Sequence, residues 1–351
     1  MGATENLKIV GCDKVPLLPE GLGQLKKLQS LGIDHLEVLT CLPDSLGQLE
    51  SLERLYILDS KNLQSLPEGL GELKKLKSLR IWGVEVLTFP PNSLGQLESL
   101  EELEIRCLKK FELPLEGLGQ LKNLKWLKIG GDEELTCLPD SLGQLESLEH
   151  FEIIGLAKLE SLPHSLAQLK KLRRLRIENM EALINLPESL GQLKSLECFE
   201  IIGLAKLESL PHSLVQLKKL EELLIENMEA LINIPESLGQ LESLKELSIG
   251  HCGKLKSLPN TLAQLKSLVV LKIGGWKELE SLPHWLGQLK ALRSLIIYDC
   301  TALRSLPHWL KSLPLLRHLE IYNCPLLSER CRRGGGKDRP KISRIPIVLI
   351  S

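Results

Sequence analysis

Aromatic residues make up only 3% of this 351-residue chain, so any ring that reaches the surface carries information. Charge of one sign is also missing: 44 Lys and Arg stand against 45 Asp and Glu, a net of -1, which gives no global attraction to nucleic acid or to a membrane surface. No apolar run approaches the ~18 residues of a membrane span, and Met1 to Val10 lacks the apolar stretch of a signal peptide. Gly2 follows Met1, but Asn6 stands where an N-myristoylation signal has Ser or Thr. There is no Asn-x-Ser/Thr sequon and no Cys-x-x-Cys pair, and the nine cysteines are odd in number. Together these absences predict reduced thiols in an intracellular protein of the cytoplasm or nucleus.

What is present is a repeat. Leu-x-Ile recurs every 24 residues from Leu7-Ile9 to Leu319-Ile321, fourteen copies with no insertion or deletion and only Phe151 and Phe199 in place of Leu. Around Leu244, the string Leu244, Leu247, Ile249, Cys252 follows the template L-x-x-L-x-L-x-x-N/C-x-L, with Leu255 one place beyond its last Leu, and Leu258-Pro259, Leu262, Leu265 and Leu268 close the coil. Alternation at Leu247 and Ile249 marks a half-buried strand, while leucines three apart mark a tight helical or 3-10 return. The predicted fold is therefore an α/β solenoid, a leucine-rich-repeat horseshoe of about 14 repeats, with a parallel sheet on the concave face and short helical or 3-10 segments on the convex face. One unit offers too few apolar positions to offset the ordering of its own backbone, so stability must come from stacking. The expected division is a solenoid over 1–324, beginning without an N-terminal capping unit, and a basic tail over 325–351 with seven Lys or Arg against two acids. A start inside a repeat exposes an apolar end, which predicts a fragment, a truncated product or a chain needing a partner there.

Chemistry-bearing motifs are few. Gly334-Gly335-Gly336-Lys337 is followed by Asp338 where a phosphate loop needs Ser or Thr, and no strand leads into it. Cys12, Cys252, Cys300 and Cys324 fall on the Asn/Cys template position and read as structural. His318, Cys324 and Cys331 lack the paired close spacing of a zinc site. His164, His212, His284 and His308 follow a proline just before each return segment and read as capping residues. No metal, cofactor or catalytic group is expected, and the chain reads as a non-enzyme.

The informative positions flank the Leu-x-Ile pair and line the concave face. Fourteen strands at ~4.8 Å span roughly 62 Å, too wide for a metabolite, so the expected ligand is a protein. The middle residues alternate in sign from Arg80 through Glu104, Lys128, Glu152 and Arg176 to Glu200, a pattern equally suited to a self-neutralising ladder and to a binding patch. The candidate partner-binding set is Tyr56, Arg80, Trp82, Arg106, Trp126, Lys128, His150, Arg174, Arg176, Glu222, Glu226, Tyr298 and Tyr322, with rings as interface anchors. Trp285 and Trp309 fall on the return segments. An internal duplication supports this face: residues 151–198 and 199–246 differ at eight of 48 positions. Five of the eight, Arg173/Glu221, Arg174/Glu222, Arg176/Leu224, Glu197/Lys245 and Cys198/Glu246, lie on or beside the exposed strand face. The others are Ala167/Val215, Leu186/Ile234 and Lys194/Glu242.

The units LPESLGQLKSLE and LPDSLGQLESLE and strands such as LSIGHCGKLKSLP resemble the C-terminal repeats of plant nucleotide-binding leucine-rich-repeat disease-resistance proteins of the coiled-coil, non-TIR class. Cys324-Pro325-Leu326-Leu327, Arg330-Cys331, Gly336-Lys337-Asp338, Lys341-Ile342 and Ile345-Pro346 match that family's closing pattern, with Arg339 and Arg344 replacing its Trp and His. The resemblance implies an intracellular immune receptor whose repeats recognise a pathogen effector or a guarded host protein and restrain an ADP/ATP switch. That switch would belong to a missing upstream nucleotide-binding domain, a partner in cis. The alternatives are an intracellular scaffold of the Ras-group type and an extracellular enzyme inhibitor of the polygalacturonase-inhibitor kind. The second would carry a signal peptide, sequons and cysteine-paired caps.

Overall fold

A computed structural model of the chain describes residues 5–11, 15–90, 93–112, 115–131 and 133–351, without the side chains of 107–112, 115 and 116. It forms two compact units, Met1–Glu181 and Ala182–Ser351. The first carries β1 (Asn6–Val10), β2 (Ser30–Asp34), β3 (Arg54–Leu58), β4 (Ser78–Thr88), β5 (Glu102–Glu112), α1 (Leu115–Leu118), β6 (Trp126–Gly130), β7 (His150–Ile154) and β8 (Arg174–Glu178). The second carries β9 (Cys198–Ile202), β10 (Glu222–Glu226), β11 (Glu246–Gly250), β12 (Val270–Gly274), β13 (Ser294–Tyr298) and β14 (His318–Tyr322). It ends in α2 (Pro325–Cys331), α3 (Arg339–Ile342) and β15 (Ile347–Ile350). Within each unit the strands are parallel and follow chain order.

The expected register holds residue for residue. Leu7 lies opposite Leu31 and Ile9 opposite Ile33, and the same step of 24 aligns Leu271 with Leu295 and Ile273 with Ile297. These Leu and Ile side chains point into the core, where Leu31, Ile33, Leu295 and Ile297 are fully buried, while their neighbours form the opposite, strand-lined surface. A column that sequence reading had missed turns the chain out of each strand. The second residue after the Ile has positive φ at Gly11, His35, Asp59, Gly83, Gly131, Gly155, Asn179, Gly203, Asn227, His251, Gly275, Asp299 and Asn323. At these thirteen positions only Gly, Asn, Asp and His occur, the types that tolerate a left-handed backbone best, while Cys107 stands at the corresponding place in β5, where the strand runs on. The next residue is the Asn/Cys template position. There the thiols of Cys252, Cys300 and Cys324 are buried and each donates to the carbonyl two residues earlier at 3.3 Å. Burial pushes the Cys252 thiol up to about 12, so Cys252 is a structural donor rather than a nucleophile. Cys12 lies outside the described residues.

The return segments are five-residue 3-10 turns, such as Glu20–Gln24 and Asp44–Gln48, each opened by a proline with extended backbone and closed by a leucine amide donating to that proline's carbonyl. Capping by the histidines is not what the structure has: His164, His212, His284 and His308 are the first residues of their turns, and no side chain caps the preceding proline. The proline is itself the cap residue, so the histidine comes one place too late. One turn is instead held from the neighbouring repeat, where Glu188 accepts from the backbone amides of His212 at 3.0 Å and Ser213 at 2.8 Å. Stacked turns approach closely, and a Cβ on Gly47 would meet the Gly69 carbonyl oxygen at 2.3 Å. Trp285 is buried and Trp309 half-buried on their turns, as expected.

Two strands depart from the five-residue pattern. β4 and β5 run for 11 residues each and stay paired beyond the expected strand end, with register shifts between Trp82 and Val84 and between Val84 and Val86. Val84-x-Val86 supplies a second β-branched alternation that favours an extended backbone.

The residues after β14 fold onto the second unit. β15 pairs in parallel with β14, and Asp338, with 0% of its side chain exposed, holds the segment together. Its carboxylate accepts from the Leu306 amide at 2.9 Å, from Arg330 at 3.0 and 3.1 Å, and from Lys341 at 2.7 Å. Burial alone would raise its pKa, but these donors hold it down to about 2. Two of the seven tail cations are thus committed internally.

Candidate protein-recognition surface

On the first unit the alternating strands bring part of the candidate set together. Because positions 24 residues apart lie side by side, Tyr56 of β3, Arg80 of β4 and Trp126 of β6 converge, and the Arg80 guanidinium carbon lies 5.9 Å from the Tyr56 ring centre and 5.4 Å from that of Trp126. Glu102 fixes it with a 2.9 Å hydrogen bond and also accepts from the Ser78 hydroxyl at 3.1 Å. An arginine held between two rings and a carboxylate is rigid, which lowers the entropy lost on binding. Trp82 is 36% exposed and Arg106 and Arg174 are exposed, whereas His150, Lys128 and Arg176 are half-buried. Lys128 pairs with Glu152 on the adjacent strand at 2.8 Å, as the ladder reading expects. Arg80 pairs instead with Glu102, since Glu104 is buried with 4% exposure, and Arg176 reaches Glu178 on its own strand at 2.7 Å.

At the ends of β2 and β3, Asp34, His35 and Asp59 bring ligand-type atoms within 4.8 Å of one another. The other Asp34 oxygen is 2.9 Å from the Lys8 ammonium. A hydrogen bond from that ammonium lowers the Asp34 pKa against the effect of burial. The trio is the group that would hold a metal among the described residues, but the ammonium already supplies its cation.

On the second unit the sequence reading of Tyr298 as an exposed anchor is overturned: the residue is 7% exposed. Gly250 and Gly274, at the same position of β11 and β12 as Tyr298 on β13, leave a trough into which the ring falls. A Cβ on Gly274 would meet the Tyr298 Cγ at 2.5 Å, and one on Gly250 would meet its hydroxyl. Across those strands the hydroxyl donates to Glu226 of β10, which also accepts from Ser248 at 3.0 Å. Burial, then the hydrogen bond to that carboxylate, raises the Tyr298 pKa far above its ordinary value. Tyr322 stacks on Tyr298, centres 5.4 Å apart and planes 14° from parallel, and His251 packs on the same ring at 5.6 Å. His251 also lies 3.5 Å from Glu226 and 3.3 Å from Asp299. Tyr322, at 36% exposure, is therefore the ring this cluster presents. Sequence reasoning missed Gly250, Gly274, Ser248, His251 and Asp299, although consecutive glycines beside a column of bulky residues were a usable signal. Glu222 is exposed, while Cys198, read as flanking the open face, is buried at 5%.

The family model for a leucine-rich-repeat region matches residues 6–113, 106–225 and 179–331. The chain belongs to the leucine-rich-repeat family. A leucine-rich-repeat protein of Leptospira interrogans is similar at 27% identity and a TM-score of 0.74, over 98% of this chain and 95% of that one. An internalin from Listeria monocytogenes shares the fold at 18% identity and a TM-score of 0.60, over 90% and 86% of the two chains. The Toll–Spatzle complex of Drosophila contains a chain sharing it at 19% identity and a TM-score of 0.65, over 91% of this chain and 46% of that one. No curated protein matches. This repeat protein thus has the architecture of a protein-interaction module, a scaffold class that is typically non-enzymatic. No helix among its described residues is long and apolar enough to cross a membrane.

Proposed function

We propose that this leucine-rich-repeat protein recognises a protein partner on its strand-lined face, as the sensor region of an intracellular plant immune receptor. One observation carries the recognition reading: Tyr56, Arg80 and Trp126 form a preorganised ring–cation cluster beside exposed Trp82, Arg106 and Arg174, the residue types that anchor interfaces. The receptor assignment is supported by the closing motif from Cys324 to Pro346, including Asp338, whose buried carboxylate ties that motif to the last repeats. In this reading the ligand is a pathogen effector or a guarded host protein, and the nucleotide switch belongs to a domain in cis. The test is proximity labelling in plant cells with the intact chain and with Trp82, Trp126, Arg174 and Arg176 replaced by alanine. Loss of the labelled partners supports the reading. Partners that survive all four replacements but vanish when Lys194 and Glu242, exposed beside the return turns, are replaced refute it.

A further inference from the structure

Along strands β9–β14 of the second unit acidic residues outnumber basic ones, although Lys245, Arg293 and Arg317 directly precede β11, β13 and β14. Glu200, Glu222, Glu226, Glu246 and Glu320 lie on β9–β14 and Asp299 follows β13, against Lys272, the one Lys or Arg among the described residues of those strands. Lys272 is already paired with Glu246 at 2.6 Å. Strands β1–β8 of the first unit mix both signs, so the acidity belongs to this face and not to the composition of the chain. Its centre is the Tyr298–Tyr322 stack, and the exposed ring is Tyr322. The geometry gathers three carboxylates there: the Asp299 amide donates to the Tyr322 carbonyl at 3.1 Å, Glu320 lies two residues before Tyr322 on β14, and Glu226 accepts from the hydroxyl of the stacked Tyr298.

We propose that this face binds a basic segment of a protein partner, with one arginine guanidinium seated over Tyr322 among Asp299, Glu320 and Glu226. A guanidinium fits better than an ammonium because it is flat, stacks on a ring and meets carboxylates with two parallel donors. The Tyr298 hydroxyl and Ser248 fix Glu226, so that acceptor is in place before binding, while His251 and His318 lie against Asp299 and Glu320 at 3.3 and 3.0 Å. A cleft of about 1120 Å³ beside Tyr322 is lined by Arg332, Arg333 and Arg339 as well as Glu320 and Glu329, and its three arginines disfavour a cation there. The assignment deepens the protein-recognition reading and rests on it.

The chain has three tyrosines, two in this cluster and Tyr56 on the first unit, so tyrosine ring labelling with carbon-13 gives a site-resolved assay on the full chain. Acetylated tri-arginine amide should shift the Tyr322 signal saturably and leave Tyr56 unmoved. Tri-lysine should bind about threefold more weakly, and raising salt from low to near-physiological strength should weaken binding several-fold. Asp299→Asn with Glu320→Gln should reduce affinity about tenfold, from roughly fivefold or less per exposed pair. Followed through the Tyr298 signal, which also reports that the second unit is folded, Tyr322→Phe should retain binding while Tyr322→Leu loses it. A Tyr322 shift caused equally by tri-glutamate, a matching shift of Tyr56, or no saturable shift overturns the assignment. Partner capture through the first-unit residues is a separate measurement, so this failure is distinguishable from failure of the recognition reading.

Discussion

Replacing Asp338 by Asn tests how the final strand is held. The side chain is fully buried and satisfied by Arg330, Lys341 and the Leu306 amide, and its pKa is lowered from 3.8 to about 2. A carboxyl whose folded pKa is depressed stabilises the fold above its unfolded pKa and loses that contribution as pH falls through the folded value. The drop corresponds to about 2 kcal/mol at neutral pH, present above about pH 5 and largely gone near pH 2. Asn keeps the shape but leaves Lys341, 13% exposed, without its counter-charge, so the loss at neutral pH should be about 2 to 3 kcal/mol. Solenoids open locally, so the readout is hydrogen exchange in β15 rather than one global transition. The Ile347 amide, which donates to Arg317 in the wild type, should exchange on the order of 30-fold faster in Asp338→Asn at pH 7. The gap should shrink as pH falls below 4. Asp140→Asn, at an exposed turn position, should change nothing. Unchanged protection of β15, or an acid response that persists in the variant, would refute the reasoning.

Gly47→Ala should destabilise the first unit by about 1 to 3 kcal/mol in thermal melts, since its Cβ would meet the Gly69 carbonyl. Gly21→Ala, with open space around it, should be near neutral. Glu188→Ala removes the acceptor for the His212 and Ser213 amides and should cost about 1 kcal/mol. Burial raises the Glu188 pKa less than the Ser213 and His212 hydrogen bonds lower it. The wild-type advantage over that variant should therefore persist at neutral pH and fade as the pH of chemical denaturation falls below the ordinary glutamate range. Iodoacetamide at pH 8 should label exposed Cys137 in the native chain and spare Cys252 and Cys331, whose thiols burial pushes up to about 12 and about 11. Peptide mapping showing early labelling of Cys252 would contradict the burial of its thiol.

The repeat made the sheet legible because a strict 24-residue step forces every Leu-x-Ile pair into one register, and one slipped residue would turn the leucines to solvent. The left-handed column was equally periodic, with Gly203, Asn227, His251, Gly275, Asp299 and Asn323 in a row. It escaped notice because its signal is backbone tolerance and not hydrophobicity. The histidine caps failed because a proline already occupied the cap. Tyr298 failed for a different reason: its exposure depends on Gly274 and Gly250, one and two repeats earlier. A single position read in isolation cannot contain that. Asp338 was equally out of reach, since one of its partners is a backbone amide 32 residues away.

The same lattice that fixes the core dictates how a binding face can diversify. Leu and Ile are committed to packing, the left-handed residue to the turn and the residue after it to burial, as Leu or Met in some repeats and as hydrogen-bonded Cys or Ser in others, so variation is left to three positions in each strand. A substitution there is not independent of its neighbours, because a side chain at one strand position reaches across the adjacent strands at the same position. Tyr298 can lie flat only where the two preceding repeats supply glycine, and its hydroxyl then meets whatever the third supplies, here Glu226. Arg80 likewise takes its environment from Tyr56 on one side and from Glu102 and Trp126 on the other. The unit of recognition is therefore a run of three or four consecutive repeats. It follows that the five changes on or beside the strands between 151–198 and 199–246 alter the setting of adjoining repeats that are themselves unchanged. A duplicated pair can thereby yield a new surface with the core left as it was.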